Sequence, residues 1–217
     1  MKVSYSFLIV LFFILASCNE SPDKETALPY IGNHDIAYEK TTTHQAGDTI
    51  YHTIPSFSYL TQDSIFLTSD DISDKIWIAK FFFTTCPTIC PPMTASMKLV
   101  NDSLNLLSDS IVFLSFSIDP KKDTPSKLRK YINEHQISAS NWYFLTGDEE
   151  ETHELGVNGF QVHAHADDLA PGGFAHSANF VLVDKNKHIR GIYDGLEQSE
   201  RERLIKDVNK LISNANR

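Results

Sequence analysis

Residues 76–83 and 111–118 are apolar at nearly every position. Unbroken runs of that length predict strands covered on both faces. Between them, Met93, Met97, Val100, Leu104 and Leu107 recur at steps of four, three, four and three, which predicts a helix over residues 92–107 with one apolar face. A helical methionine stripe of this kind is read as core packing rather than as a copper-binding strip. Thr124-Pro125 opens a further helix over 126–135, with proline near its first position. Buried strand, helix and buried strand in succession make a right-handed parallel unit. Residues 57–60 and 64–68, around Gln62-Asp63, read as a hairpin; 142–145 reads as a short strand and 148–155 as a short helix. A long polar loop is expected over 156–173, then a hairpin of 177–183 and 188–193 around residues 184–187. An amphipathic helix over 197–212 closes the chain, with Leu204, Ile205, Val208, Leu211 and Ile212 on one face.

These elements assemble into an α/β chain with a thioredoxin-like fold: a central mixed sheet flanked by helices, with an N-terminal hairpin extension. The start of the chain follows another logic. Lys2 precedes an apolar run over residues 7–15 that is too short to span a bilayer, and small residues follow in Leu15-Ala16-Ser17-Cys18. This is the grammar of an export signal. Its ending resembles a bacterial lipobox, which implies cleavage before Cys18 and lipid attachment to that cysteine. Residues 1–17 are thus expected to be a lipoprotein signal peptide, 18–53 a polar membrane tether, and 54–217 the folded domain. His34, His44 and His52 fall in the tether and read as solvated residues. A net charge of −9 without a basic run argues against nucleic acid as a partner.

The chain has three cysteines, and lipidation of Cys18 leaves one pair, Cys86 and Cys90. Both lie where a strand hands over to a helix, in Thr84-Thr85-Cys86-Pro87-Thr88-Ile89-Cys90-Pro91-Pro92. A helix start turns N–H groups and positive dipole toward such residues, which favours thiolate. On one helix face, residues four apart hold their Cβ atoms about 5 to 6 Å apart, whereas a relaxed disulfide wants about 3.8 Å. Two thiolates on one metal fit with less distortion, yet the prolines leave disulfide formation open. His176 stands in Pro171-Gly172-Gly173-Phe174-Ala175-His176-Ser177, just before the terminal hairpin. In a thioredoxin-like fold that loop faces the cysteine helix, and two thiolates with one imidazole suit copper, including Cu(I).

With these motifs the sequence resembles the SCO/SenC family of copper proteins. The residues that carry the likeness are Thr85-Cys86-Pro87-Thr88-Ile89-Cys90-Pro91, Ser117-Ile118-Asp119-Pro120 with Asp123-Thr124-Pro125, and His176-Ser177, over roughly residues 54–213. The resemblance implies a membrane anchor and one copper, Cu(I) or Cu(II), held by Cys86, Cys90 and His176. It also implies delivery of that copper to the copper centre of cytochrome c oxidase, through an oxidase subunit or another copper protein, by a domain lipid-anchored to a membrane of the cell envelope and lying outside the cytoplasm. The family commonly places Asp before its histidine, where this chain has Ala175. Asp119 is a candidate to orient the imidazole in its stead, against the plainer role of a turn former. His163 and His165 are candidate auxiliary ligands or surface residues. An alternative function is thiol:disulfide exchange, with Cys86 or Cys90 attacking a partner disulfide and the other resolving it. A third is peroxide reduction, since similar folds host it. His176 separates the first two, because exchange needs no distant imidazole.

Overall fold

The computed structural model describes residues 27–166 and 174–215, for 164–166, 174–176 and 215 the backbone alone. Two short paired strands come first, β1 (Asp35–Ile36) and β2 (Thr49–Ile50), then the hairpin β3 (Ser58–Thr61) and β4 (Phe66–Thr68). The central unit is β5 (Ile76–Phe82), α1 (Cys90–Ser103), β6 (Ile111–Ser117), α2 (Pro125–Glu134) and β7 (Trp142–Thr146). After it come α3 (Glu149–Glu154), β8 (Ala164–Ala166), β9 (Phe174–His176), β10 (Asn179–Val183), β11 (Ile189–Asp194) and α4 (Gln198–Ala215).

β5 and β6 are buried at every position and pair in parallel without a slip, from Ile76 opposite Ile111 to Phe82 opposite Ser117. β7 extends the parallel set beyond β6, while β10 runs antiparallel to β5 and β3 antiparallel to β7. The seven-stranded order is β11-β10-β5-β6-β7-β3-β4, so the expected N-terminal hairpin widens the sheet at one edge and the terminal hairpin at the other. This is the mixed α/β sheet expected of a thioredoxin-like chain.

Alternation along β5 divides the core. Phe81 stacks on Phe116 at 5.2 Å between centroids, and Phe57, Tyr59 and Phe160 close around Phe116 edge-on or tilted on that face. On the opposite face Phe82 meets Tyr131 of α2 and Phe144 of β7. Each aromatic ring so buried contributes about 1.5–3 kcal/mol over exposure. The helices are started by local chemistry: Thr124 caps α2 by accepting from the Lys127 N–H, with Pro125 at the first position, and Asp148 caps α3 by accepting from the Glu151 N–H.

Three stretches differ from the sequence reading. The helix expected over 92–107 starts at Cys90 and gives way at Leu104 to a 3₁₀ turn, Asn105–Leu107, after the weak helix formers Asn101, Asp102 and Ser103. The polar loop expected over 156–173 opens with a π-helical turn, Leu155–Gly159, closed by the Phe160 N–H on the Leu155 carbonyl, and contains β8, which pairs with β9. Strands of three residues without alternation leave no periodic signal. Residues read as tether, from Leu28 onward, lie against β11: the Ile31 N–H donates to the Ile189 carbonyl, Arg190 Nε donates to the Pro29 carbonyl at 3.0 Å, and Leu28 and Ala37 are buried.

Candidate metal centre

β5 ends at the C-terminal edge of the parallel set, and the chain leaves it through Phe83 and Thr84 before turning to Cys86, whose N–H donates back to the Phe83 carbonyl. The turn is pinned from the neighbouring connection. Asp123, fully buried after β6, accepts from the Thr84 N–H at 2.9 Å, from the Thr84 hydroxyl and from the Ser117 hydroxyl at 2.6 Å. One carboxylate thus ties the exits of β5 and β6 together. Burial pushes the Asp123 carboxyl pKa up, and the hydrogen bonds from Ser117 and Thr84 only partly oppose this.

Cys90 is the first residue of α1, with Pro91 and Pro92 filling positions whose N–H groups have no helical partner. Cys86 therefore precedes the helix rather than sharing its face. Both cysteines are buried and stand as two thiols rather than a disulfide. They lie within hydrogen-bonding reach of each other, and Cys86 Sγ is also 3.9 Å from Thr88 Oγ1. The Cys90 thiol is pushed up, first by its hydrogen bond with Cys86 and then by burial, while the Phe83 backbone and the charge of Lys80 act the other way. The helix start alone had suggested a thiolate at this place. Instead the buried pair retains a proton, which a cation must displace to bind both sulfurs. With that proton gone, the two sulfurs form a soft donor set for a transition-metal cation.

Beneath the pair lies a polar cluster that the apolar pattern concealed. Lys80, in the middle of β5, is wholly buried; its Nζ donates to Thr94 Oγ1 at 2.6 Å, and Thr94 Oγ1 is 2.8 Å from the Tyr131 hydroxyl. The ammonium also lies over the rings of Phe82 and Trp142, at 5.4 and 5.6 Å. Burial lowers its pKa to about 7, and Cys90 opposes that shift. The legible signal was a single lysine inside a strand covered on both faces, where an unpaired charge is costly.

The third candidate ligand comes in at the same end of the sheet. β10 pairs antiparallel with β5, Val181 opposite Ala79 and Val183 opposite Trp77, so the start of β10 faces the end from which the cysteine turn departs. His176 ends β9, three residues before the start of β10, and pairs along the backbone with Ala164; His165 pairs with Ala175. The side chains of His165, Ala175 and His176, and the whole of Cys18, lie outside the described residues. The described side chains alone hold no group of three or more His, Cys, Asp or Glu arranged for a metal. His163 is exposed, and its carbonyl accepts from the Ser177 N–H. Asp119 is buried in its Asp-Pro turn and pairs with Lys122 Nζ at 2.8 Å.

A family model described as SCO1/SenC matches residues 35–213. Among solved structures, a SCO1/SenC family lipoprotein from Bacillus anthracis is 31% identical with a TM-score of 0.68, covering 74% of this chain and 95% of that one. BsSco, described as a member of the Sco family of cytochrome c oxidase assembly proteins with a disulfide switch, is 30% identical with a TM-score of 0.66, covering 74% and 93%. ScoI of Bradyrhizobium japonicum, solved with copper bound, shares the fold at 20% identity and a TM-score of 0.61, covering 73% and 99%. Among the described residues no helix is long and apolar enough to cross a membrane.

Proposed function

Because the chain belongs to the SCO1/SenC family, we propose that it carries one copper on Cys86, Cys90 and His176 and delivers it to a copper site of cytochrome c oxidase. The observation that carries this reading is the pair of buried thiols within reach of each other at the start of α1. Copper-bound ScoI supports the choice of metal, and BsSco supports the oxidase as destination. Cys18 would take the lipid that tethers the folded domain to a membrane of the cell envelope, outside the cytoplasm. The described part of the pair suits cargo rather than permanent lodging. Copper arriving displaces a proton from Cys90, and a proton returning to that buried sulfur favours release to a partner's ligands.

Anaerobic titration of the reduced full chain in detergent with Cu(I), against a competing chelator, tests the assignment. One copper per chain is expected, lost when Cys86 and Cys90 are oxidised to a disulfide. Equal binding by the oxidised form refutes it. Thiol:disulfide exchange is a second reading, favoured by the hydrogen bond between the two sulfurs and by the disulfide switch of BsSco. The two readings are compatible, with reduction of a partner's cysteines preceding copper transfer.

A further inference from the structure

Lys80 has no part in holding copper, yet its cationic side chain is wholly buried in the core. An ammonium removed from water loses its hydration and is costly to bury unless an anion replaces that hydration. Among the described residues no carboxylate bonds to it; its contacts are a hydroxyl and two aromatic rings. The groups that face it are Thr94 and Cys90 from α1, Tyr131 from α2 and His135 just after it, Trp142 from β7 and Phe82 from its own strand. Its sheet neighbour on β6 is Ser115.

The geometry fixes where an anion would be felt. Thr94, to which the ammonium is bonded at 2.6 Å, lies one helical turn after Cys90, and both are buried on the same face of α1. Residues so spaced hold their Cβ atoms about 5–6 Å apart. The positive charge therefore sits one turn beneath the sulfur, inside the core, where water does not screen it. Two thiolates on Cu(I) carry a net charge of −1, and the same two thiolates on Cu(II) carry none. An imidazole ligand changes neither count. A protonated Lys80 beneath the pair thus attracts one oxidation state and gains nothing from the other, and the anionic state in turn favours its protonation.

We propose that Lys80 is the built-in counter-ion of the dithiolate–Cu(I) complex and thereby biases the site toward Cu(I) over Cu(II), an inference that rests on the assignment of copper to Cys86 and Cys90. The couple concerned is a one-electron reduction. Cu(II) takes an electron from a soluble redox buffer and becomes Cu(I), both sulfurs remain thiolates, and no bond to the protein forms or breaks. The depressed pKa of Lys80 agrees with a cation awaiting its anion.

The test compares the wild-type full chain in detergent with Lys80→Met, which keeps the length of the side chain without its charge. Lys80→Gln serves as a second variant that retains a donor for Thr94. Cu(I) and Cu(II) affinities are measured against chelators specific for each ion, and the Cu(II)/Cu(I) potential by titration in a redox buffer. Both variants should still bind one copper, while the ratio of Cu(I) to Cu(II) affinity falls tenfold or more, equivalent to a potential lower by about 59 mV. Thr94→Val removes the hydrogen bond and leaves the charge, so its ratio should stay within threefold of wild type. An unchanged ratio in Lys80→Met and Lys80→Gln overturns the counter-ion role while leaving the copper assignment intact. A change as large in Thr94→Val also overturns it, because packing rather than charge would then set the ratio. Absence of copper binding by the wild type is a separate result, which removes the assignment and this inference together.

Discussion

Asp123 allows the rigidity of the cysteine turn to be tested quantitatively. In Asp123→Ala the Thr84 N–H and the Ser117 hydroxyl lose their acceptor, and the Thr84 hydroxyl loses a short partner. Each buried donor left without an acceptor costs about 1–3 kcal/mol. Removal of a desolvated carboxylate returns part of that, since burial is the largest influence on this group. A net loss of about 2–4 kcal/mol follows, and for a domain of this size each kcal/mol lowers Tm by about 2–4 °C. Asp123→Asn keeps an acceptor for the Thr84 N–H and sheds the burial cost of the charge, so its loss should stay below about 1 kcal/mol.

The pH dependence separates the two contributions. The folded carboxyl holds its proton more tightly than the unfolded one, whose ordinary value is 3.8. Below that value both states are protonated and wild type enjoys its full advantage over Asp123→Asn. As pH rises the unfolded chain ionises first, so the advantage shrinks until the folded group has ionised too, and is constant above that. Urea denaturation at several pH values, followed by circular dichroism under reducing conditions, measures this. The alkylation rate of Cys86, which is buried in the pinned turn, should rise several-fold in Asp123→Ala at the same time. A loss under 0.5 kcal/mol for Asp123→Ala, or a gap to Asp123→Asn that widens from pH 4 to 7, refutes the reasoning.

Other expectations follow from the same contacts. His176→Ala should lower copper affinity tenfold or more, by competition with a Cu(I) chelator, while the rate of disulfide exchange with a small dithiol changes less than threefold; the reverse pattern would favour exchange as the function. Cys18→Ala should move the protein from the membrane pellet to the soluble fraction without altering copper stoichiometry, and a variant that stays in the pellet after a salt wash contradicts the lipid anchor. Phe116→Ala, which removes the ring that Phe57, Tyr59, Phe81 and Phe160 surround, should cost about 3–5 kcal/mol in urea denaturation. A cost below 1 kcal/mol would mean that the aromatic layer collapses freely around the gap.

The fold was legible wherever burial imposed a period. Residues 76–83 and 111–118 had to be inner strands because no polar face interrupts them, and the structure pairs 76–82 with 111–117 in parallel without a slip. The cysteines were legible by elimination and by their place between strand and helix. What escaped was set by single polar contacts, which have no period. β8 and β9 are three residues each and are recognisable only through their pairing. The docking of residues 28–31 depends on β11 and on Arg190, more than 150 positions away. Asp123 lies in Asp123-Thr124-Pro125, but its bond to Thr84 spans 39 positions and has no local signal. The helix start alone favours a thiolate at Cys90, but its hydrogen bond with Cys86 and its burial push the thiol pKa up, and neither contact has a periodic signal in the sequence.

The arrangement of the sheet bears on the proposed transfer of copper, because it treats the proposed ligands unequally. β5 and β6 are adjacent and parallel, so their connections leave at the same edge, and Asp123 from one can hold Thr84 of the other. The two sulfurs are therefore fixed by the central strands, by the start of α1 and by a buried carboxylate. The proposed third ligand is held differently. His176 belongs to β9, whose pairing with β8 forms a two-stranded sheet of its own outside the seven-stranded one. A partner that displaces the imidazole would disturb a few hydrogen bonds of that small sheet and none of the core, leaving copper on two fixed thiolates above Lys80. Transfer would then proceed from the side of the hairpin, with the counter-charge of Lys80 retaining Cu(I) until the partner's own ligands replace the sulfurs. On this geometry, covalently tying β8 to β9 should slow copper transfer to an acceptor while leaving affinity nearly unchanged.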